Sequence, residues 1–182
     1  MISFRKVTEG DLEMILCWRT KPEVTRYMTS DIDFDLEKQR RWYEDVVCKR
    51  SPPEHWVILQ DEQPIGLLNL AEYDQVAQQT SWGFYIGEVD SWRVGGLIPV
   101  YFYNYMFLRR DPLIKKIVGH VFNLNIKVLQ IHRFHGCIEV GVLKDHVCKN
   151  NQFYDITLIE MTRERWLAQQ DRFGQYHANF EE

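Results

Sequence analysis

The stretch that decides the fold is Lys115-Lys-Ile-Val-Gly-His-Val-Phe-Asn-Leu-Asn125-Ile-Lys-Val-Leu-Gln-Ile-His-Arg-Phe-His135-Gly-Cys-Ile-Glu-Val-Gly-Val142. Ile117–Val121 is apolar and β-branched, which predicts a strand. From Asn125 a helical segment runs to His135, with Ile126, Leu129 and Ile131 as its apolar stripe. Gly136 follows where a helix commonly ends in a left-handed cap, and Cys137–Gly141 resumes an extended pattern. A second unit of the same design lies about thirty residues upstream. The strand Trp82–Gly87 leads into Arg93-Val-Gly95-Gly96, and an apolar helix begins just after, with Pro99 tolerated in its first turn. A glycine turn feeding a helix N-terminus presents backbone N–H groups and the positive end of the helix dipole, which suits a pyrophosphate.

Outward from this pair, Ile2–Val7 alternates as a short strand and Thr8–Asp11 leads into a helix with Leu12, Ile15, Leu16 and Trp18 on one side. Asp35 caps a longer helix over Leu36–Lys49, which Pro52-Pro53 ends. His55–Leu59 and Pro64–Leu70 form a hairpin about Gln60–Gln63, and Thr80–Gly87 pairs next. Gly83 and Gly87 in that strand predict a bulge or a close backbone approach. Two further strands, near 136–142 and 152–161, precede a closing helix from Thr162. The order β-α-α-β-β-β-α-β-α-β-β is that of a mixed α/β domain built on one twisted sheet.

The 182 residues fit one domain, read as 1–173 with a polar tail over 174–182. An apolar fraction of 45% excludes a disordered chain. A net charge of −4 without blocks of like charge argues against nucleic-acid binding. The longest apolar run, Leu97–Leu108, is too short to span a bilayer, and the N-terminus lacks a signal-peptide core, so the expectation is a cytoplasmic protein with no membrane partner. Cys17, Cys48, Cys137 and Cys148 are scattered, which predicts free thiols, with Cys17 and Cys137 facing the core. His132, His135, His146 and Cys148 do not make a closed ligand set, and no metal site is expected.

In this order and spacing the two strand–turn–helix units resemble the acyl-CoA site of the GNAT superfamily of N-acyltransferases. Arg93 and Gly96 match its pyrophosphate motif, with Ile98 where a small residue is usual. Asn125, Val128, Leu129, Ile131 and Gly136 match its second motif. The resemblance implies a single mixed, mostly antiparallel twisted sheet, splayed between the fourth and fifth strands and flanked by helices, with acetyl-CoA as donor. It further implies that Phe84, Tyr85 and Ile86 offer a backbone edge to the thioester, and that Asn125 bonds the pantetheine. Arg93 with the amides of Val94, Gly95, Gly96 and Leu97 would cradle the pyrophosphate. The family's general acid is a Tyr at position 132 and its Phe stands at 137. Here His132 and Cys137 occupy those places. An imidazole titrating near neutrality would suit the acid role, with Tyr85 as the other proton donor.

The N-terminal third, with Trp18-Arg19, Met28 and Trp42, resembles more narrowly the enzymes of the pseudaminic-acid pathway that acetylate a UDP-linked amino sugar. That likeness implies that Arg19 and Met28 sandwich the base and that Asn69 and Tyr85 lie near the reacting amine. Asn69 would position the water that deprotonates it. The plainer alternatives are that Met28 fills core, that Arg19 pairs with Glu23, and that Trp18 and Trp42 are packing residues. The expected activity is thus transfer of acetyl to the amine of a nucleotide-linked sugar, a small-molecule partner, with a homodimer compatible. The other readings are a ribosomal-protein or peptide N-terminal acetyltransferase, and a non-catalytic acyl-CoA-binding protein.

Overall fold

One eight-stranded sheet in the order β6-β7-β5-β4-β3-β2-β1-β8 organises the chain. The computed structural model describes residues 1–49 and 54–182, so the predicted break at Pro52-Pro53 lies outside the described residues. The elements are β1 (Ile2–Lys6), α1 (Leu12–Thr20), α2 (Pro22–Thr25), α3 (Leu36–Trp42), β2 (His55–Gln60), β3 (Gln63–Asp74) and β4 (Gln79–Ile86). Then come α4 (Ile98–Leu108), β5 (Lys116–Phe122), α5 (Ile126–Phe134), β6 (Ile138–Lys149), β7 (Gln152–Thr162), α6 (Arg163–Leu167), α7 (Gln170–Phe173) and β8 (Asn179–Phe180). All neighbours are antiparallel except β4–β5 and β1–β8. The sheet is therefore mixed and mostly antiparallel, as the family resemblance implies.

Alternation along the strands sorts the side chains onto two faces. On one, Val57 and Leu67 pack with Ile15 and Trp18 of α1. On the other, Trp56, Leu68, Leu70 and Trp82 meet Phe102, Tyr103 and Met106 of α4, with Leu129 of α5 and Trp166 of α6. Trp18 is a packing residue: it is 2% exposed, and its indole N–H donates to Glu88. It explains Gly87, where a Cβ would lie 2.1 Å from the Trp18 ring. Gly136 has φ +88°, the left-handed cap that the sequence predicts. The apolar stripe of α5 is narrower than predicted, because Ile126 is exposed while Leu129 is buried. Cys17 likewise faces solvent, whereas Cys137 is buried.

The segment 174–182 is not a trailing tail. Phe180 stacks between Phe4 (3.9 Å) and Tyr105 (4.1 Å). The Glu181 amide donates to Phe4 O at 2.8 Å and its carbonyl accepts from Trp56 Nε1 at 2.8 Å. A single buried aromatic draws a polar segment onto the sheet edge as β8. No helix among the described residues is long and apolar enough to cross a membrane.

Candidate active site

The site follows from a flaw in strand pairing. β4 and β5 run parallel and pair only over Gln79–Trp82 with Lys116–Gly119. Beyond that point Gly83–Ile86 is paired on one side only, to Asn69–Gly66 of β3, and His120–Phe122 only to β7. The strands part at their C-terminal ends, so the turn before α4 and the Asn123–Asn125 turn before α5 both emerge at the mouth of the wedge. Two helix N-termini converge there.

A cleft of about 870 Å³ opens from the wedge. It brings together Arg19, Met28, Asn69, Phe84, Tyr85, Ile86, Gly95, Gly96, Asn125 and His132. Asn69 and Tyr85 lie on the α1 face of the sheet, Phe84 and His132 on the α4–α5 face, and the wedge is the passage between them. Arg93 is not in this cleft. It lines an adjoining groove of about 900 Å³ with Gly96, Leu97, Lys127, Phe134, Arg172 and Tyr176. The turn itself is a 3-10 run over Val89–Gly96, and Leu97 N–H is spent on Val94 O at 2.8 Å. The Leu97 amide is thus already paired within the turn. Val94 packs on the core. Asn125 holds the N-cap position of α5 without a side-chain cap bond, so its carboxamide is uncommitted to the helix.

Burial changes the acid–base reading of both candidate donors. His132 is 4% exposed, and desolvation, aided by His135, pulls its pKa down to about 4. The imidazole is neutral at pH 7, not poised near neutrality as the sequence suggests. Its Nδ1 lies 3.9 Å from Cys137 Sγ, and Trp82 meets its ring edge-on at 6.0 Å. Tyr85 has a buried hydroxyl with no hydrogen-bond partner among the described residues. Desolvation lifts its pKa well above the usual phenol value, with Arg19 opposing, so it stays protonated.

The N-terminal wall is braced by residues that, apart from Arg19, carried no signal in the sequence. Arg19 does not pair with Glu23; it donates to Ser30 O at 2.7 Å and to Thr25 Oγ1 at 3.1 Å. Desolvation lowers its pKa. The tip of the β6–β7 hairpin turns on Asn150 and Asn151, both with positive φ. It seats Lys149, 9% exposed, against Thr25 O (2.6 Å) and Asp31 Oδ1 (2.8 Å). Asn150 Nδ2 donates to Asp31 Oδ2 at 3.2 Å. The loop that carries Met28 is thus pinned from the far end of the sheet. Among the described residues no group of His, Cys, Asp and Glu could hold a metal ion.

The fold is shared with solved acetyltransferases. Spermidine N-acetyltransferase from Vibrio cholerae in complex with CoA and spermine superposes with a TM-score of 0.81 at 17% identity, over 91% of this chain and 98% of that one. A chimera of the Vibrio cholerae enzyme and hSSAT gives 0.79 at 19% identity, over 91% and 98%. No curated protein matches the sequence. Residues 2–137, three quarters of the chain, match the family described as acetyltransferase (GNAT) domain, and the chain belongs to that family of N-acetyltransferases.

Proposed function

We propose that the protein transfers the acetyl group of acetyl-CoA to a small, multiply charged amine of the polyamine class. The observation that carries this reading is the main chain of Gly83–Ile86, bonded on one side only and opening into a cleft that runs through the sheet. A thioester laid along that edge receives backbone hydrogen bonds at its carbonyl, where negative charge develops in the transition state. Asn125 supports the pantetheine arm. The adjoining groove, with Arg93, Lys127 and Arg172 beside Phe134 and Tyr176, suits a phosphorylated nucleotide.

The amine attacks from the α1 face, beside Asn69 and Tyr85. Its nitrogen bonds to the carbonyl carbon, the C–S bond breaks, and the proton shed by the nitrogen ends on the departing sulfur. Tyr85 O–H and the neutral His132 N–H serve as hydrogen-bond donors to the developing charges, and Asn69 orients the water that takes the first ammonium proton. Holding both reactants in one cleft supplies much of the acceleration.

Charge supports the acceptor class. Glu23, Asp31, Asp33 and Asp35 line the acceptor end against Arg19 and Lys38, and with Lys149 paired to Asp31 the end keeps a net charge of one negative unit. Arg19 is engaged by Ser30 and Thr25. A diphosphate would meet like charge there, whereas a second ammonium group would not. The V. cholerae enzyme of the same fold, bound to spermine, points the same way. A second reading, a nucleotide-linked amino sugar, is favoured by Arg19 and Met28 lining one cleft.

Release of free thiol from acetyl-CoA on adding spermidine, a UDP-amino sugar or an N-terminal peptide separates these readings. Turnover with spermidine and none with the other two is the expected result. Turnover with the UDP-amino sugar alone would establish the second reading. Turnover with the peptide alone would overturn both.

A further inference from the structure

We propose that Cys137 and Tyr103 are positioning residues that lock His132 in the tautomer carrying its proton on Nε2, so that an N–H faces the departing sulfur. This inference rests on the proposed acetyl transfer, since it assigns a task to His132 within that reaction. It joins two of the places where the chain departs from its family, 132 and 137, into one change. Once a ring with a second nitrogen stands at 132, that nitrogen needs a partner inside the core, and Phe at 137 could not supply one.

The direction of the bonds follows from donor counting. The only hydrogen-bond partner of the Tyr103 hydroxyl among the described residues is Cys137 Sγ, 3.4 Å away, while the Trp82 ring meets Tyr103 edge-on at 5.5 Å. Tyr103 is 1% exposed, so its O–H must be sent to that sulfur. The sulfur, having accepted from Tyr103, directs its S–H at His132 Nδ1, 3.9 Å away, at the long end of the range for a thiol. An Nδ1 that accepts cannot be protonated, so the single proton of the neutral ring sits on Nε2. That atom engages no other group among the described residues, and His132 lines the cleft. The opposite direction, with Nδ1–H donating to sulfur, would leave either the Tyr103 O–H or the Cys137 S–H buried with no acceptor, whereas the first direction gives every proton a partner. Burial raises the Cys137 pKa to about 11, so the thiol keeps the proton it donates.

The deciding measurement is the imidazole 15N spectrum of the whole protein at pH 7.5, read beside steady-state kinetics and a thermal melt. Wild type should show Nδ1 bare and Nε2 protonated at His132. Cys137→Ala should populate the Nδ1–H form and lower kcat about tenfold with the acetyl-CoA KM unchanged, since only the rings that keep the proton on Nε2 remain competent. Cys137→Ser, which restores a donor, should recover the wild-type spectrum and most of the rate. Tyr103→Phe, which keeps the ring, should give the mixed spectrum in a second, folded background. In His132→Phe, adding Cys137→Ala should cost nothing further in kcat. A protonated Nδ1 in wild type, or a spectrum unchanged by Cys137→Ala, overturns the inference. If His132→Phe alone keeps full kcat, the catalytic task of His132 falls, while the spectrum still decides the tautomer.

Discussion

Mild acid should destabilise this protein between pH 6.5 and 4, and His132→Phe should flatten that dependence. In the unfolded chain the imidazole titrates at its ordinary 6.5, whereas in the fold desolvation holds it down to about 4. Between these values the unfolded state binds more protons, so stability falls as pH drops through 6.5 and stops falling below about 4. A gap of this size corresponds to about 3 kcal/mol in full, with about 2 kcal/mol of it already lost at pH 5. His135 is also held to about 4, by burial and then by Arg172, and adds a second proton in the same window. The carboxylate Glu54, held low by Arg110 and Lys6 against its own desolvation, responds only at more acid pH, as the pH falls below its unfolded value. Urea unfolding at half-unit steps from pH 8 to 4.5 gives the slope of stability against pH, which divided by 2.303RT is the difference in bound protons. Wild type should approach two protons near pH 5 and His132→Phe one. An unchanged slope in the variant would show that His132 titrates alike in both states, and the argument from burial would fail.

Other perturbations test other parts of the molecule. Lys149→Met should raise the amine KM by about tenfold and leave the acetyl-CoA KM unaltered, because it unpins the acceptor loop by removing charged hydrogen bonds remote from the donor groove; equal changes in both KM values would refute it. Gly87→Ala drives a Cβ to within 2.1 Å of Trp18 and should cost about 1–3 kcal/mol in chemical denaturation. Gly96→Ala, which meets nothing within 4 Å, should stay within about 0.5 kcal/mol. Phe180→Ala should cost about 3 kcal/mol by the same measurement, since it removes a ring stacked on two others; a neutral result would mean that β8 does not hold the edge.

Much of the architecture is legible in the residues. Asn125 and Gly136 bracket α5 because each has a local reason to stand there: an uncommitted carboxamide at the cap position, and a φ of +88° that only glycine adopts cheaply. The parting of β4 from β5 could be expected only through the family resemblance, since pairing between distant strands leaves no mark in local pattern. Three features escaped for the same kind of reason. β8 is two residues long, so no alternation announces it, and its stability comes from rings more than seventy residues away. The clamp of Lys149 on Asp31 joins positions 118 apart in the chain. The lowered pKa of His132 depends on burial, with Trp82 of β4 against its ring, which a sequence gives no means of measuring.

The short seam between β4 and β5 has a mechanical consequence. Only four residues on each strand stitch the two leaves of the sheet together, and past them the leaves are joined through the helices laid across them. On the proposed mode of donor binding, a polar chain drawn into the wedge would supply cross-links that the protein's own strands do not make, and so act as a surrogate rung. Donor capture and cohesion of the sheet are then one event. Amide protons along Gly83–Ile86 and His120–Phe122 should slow in exchange together when the donor is added, as though a zip had closed.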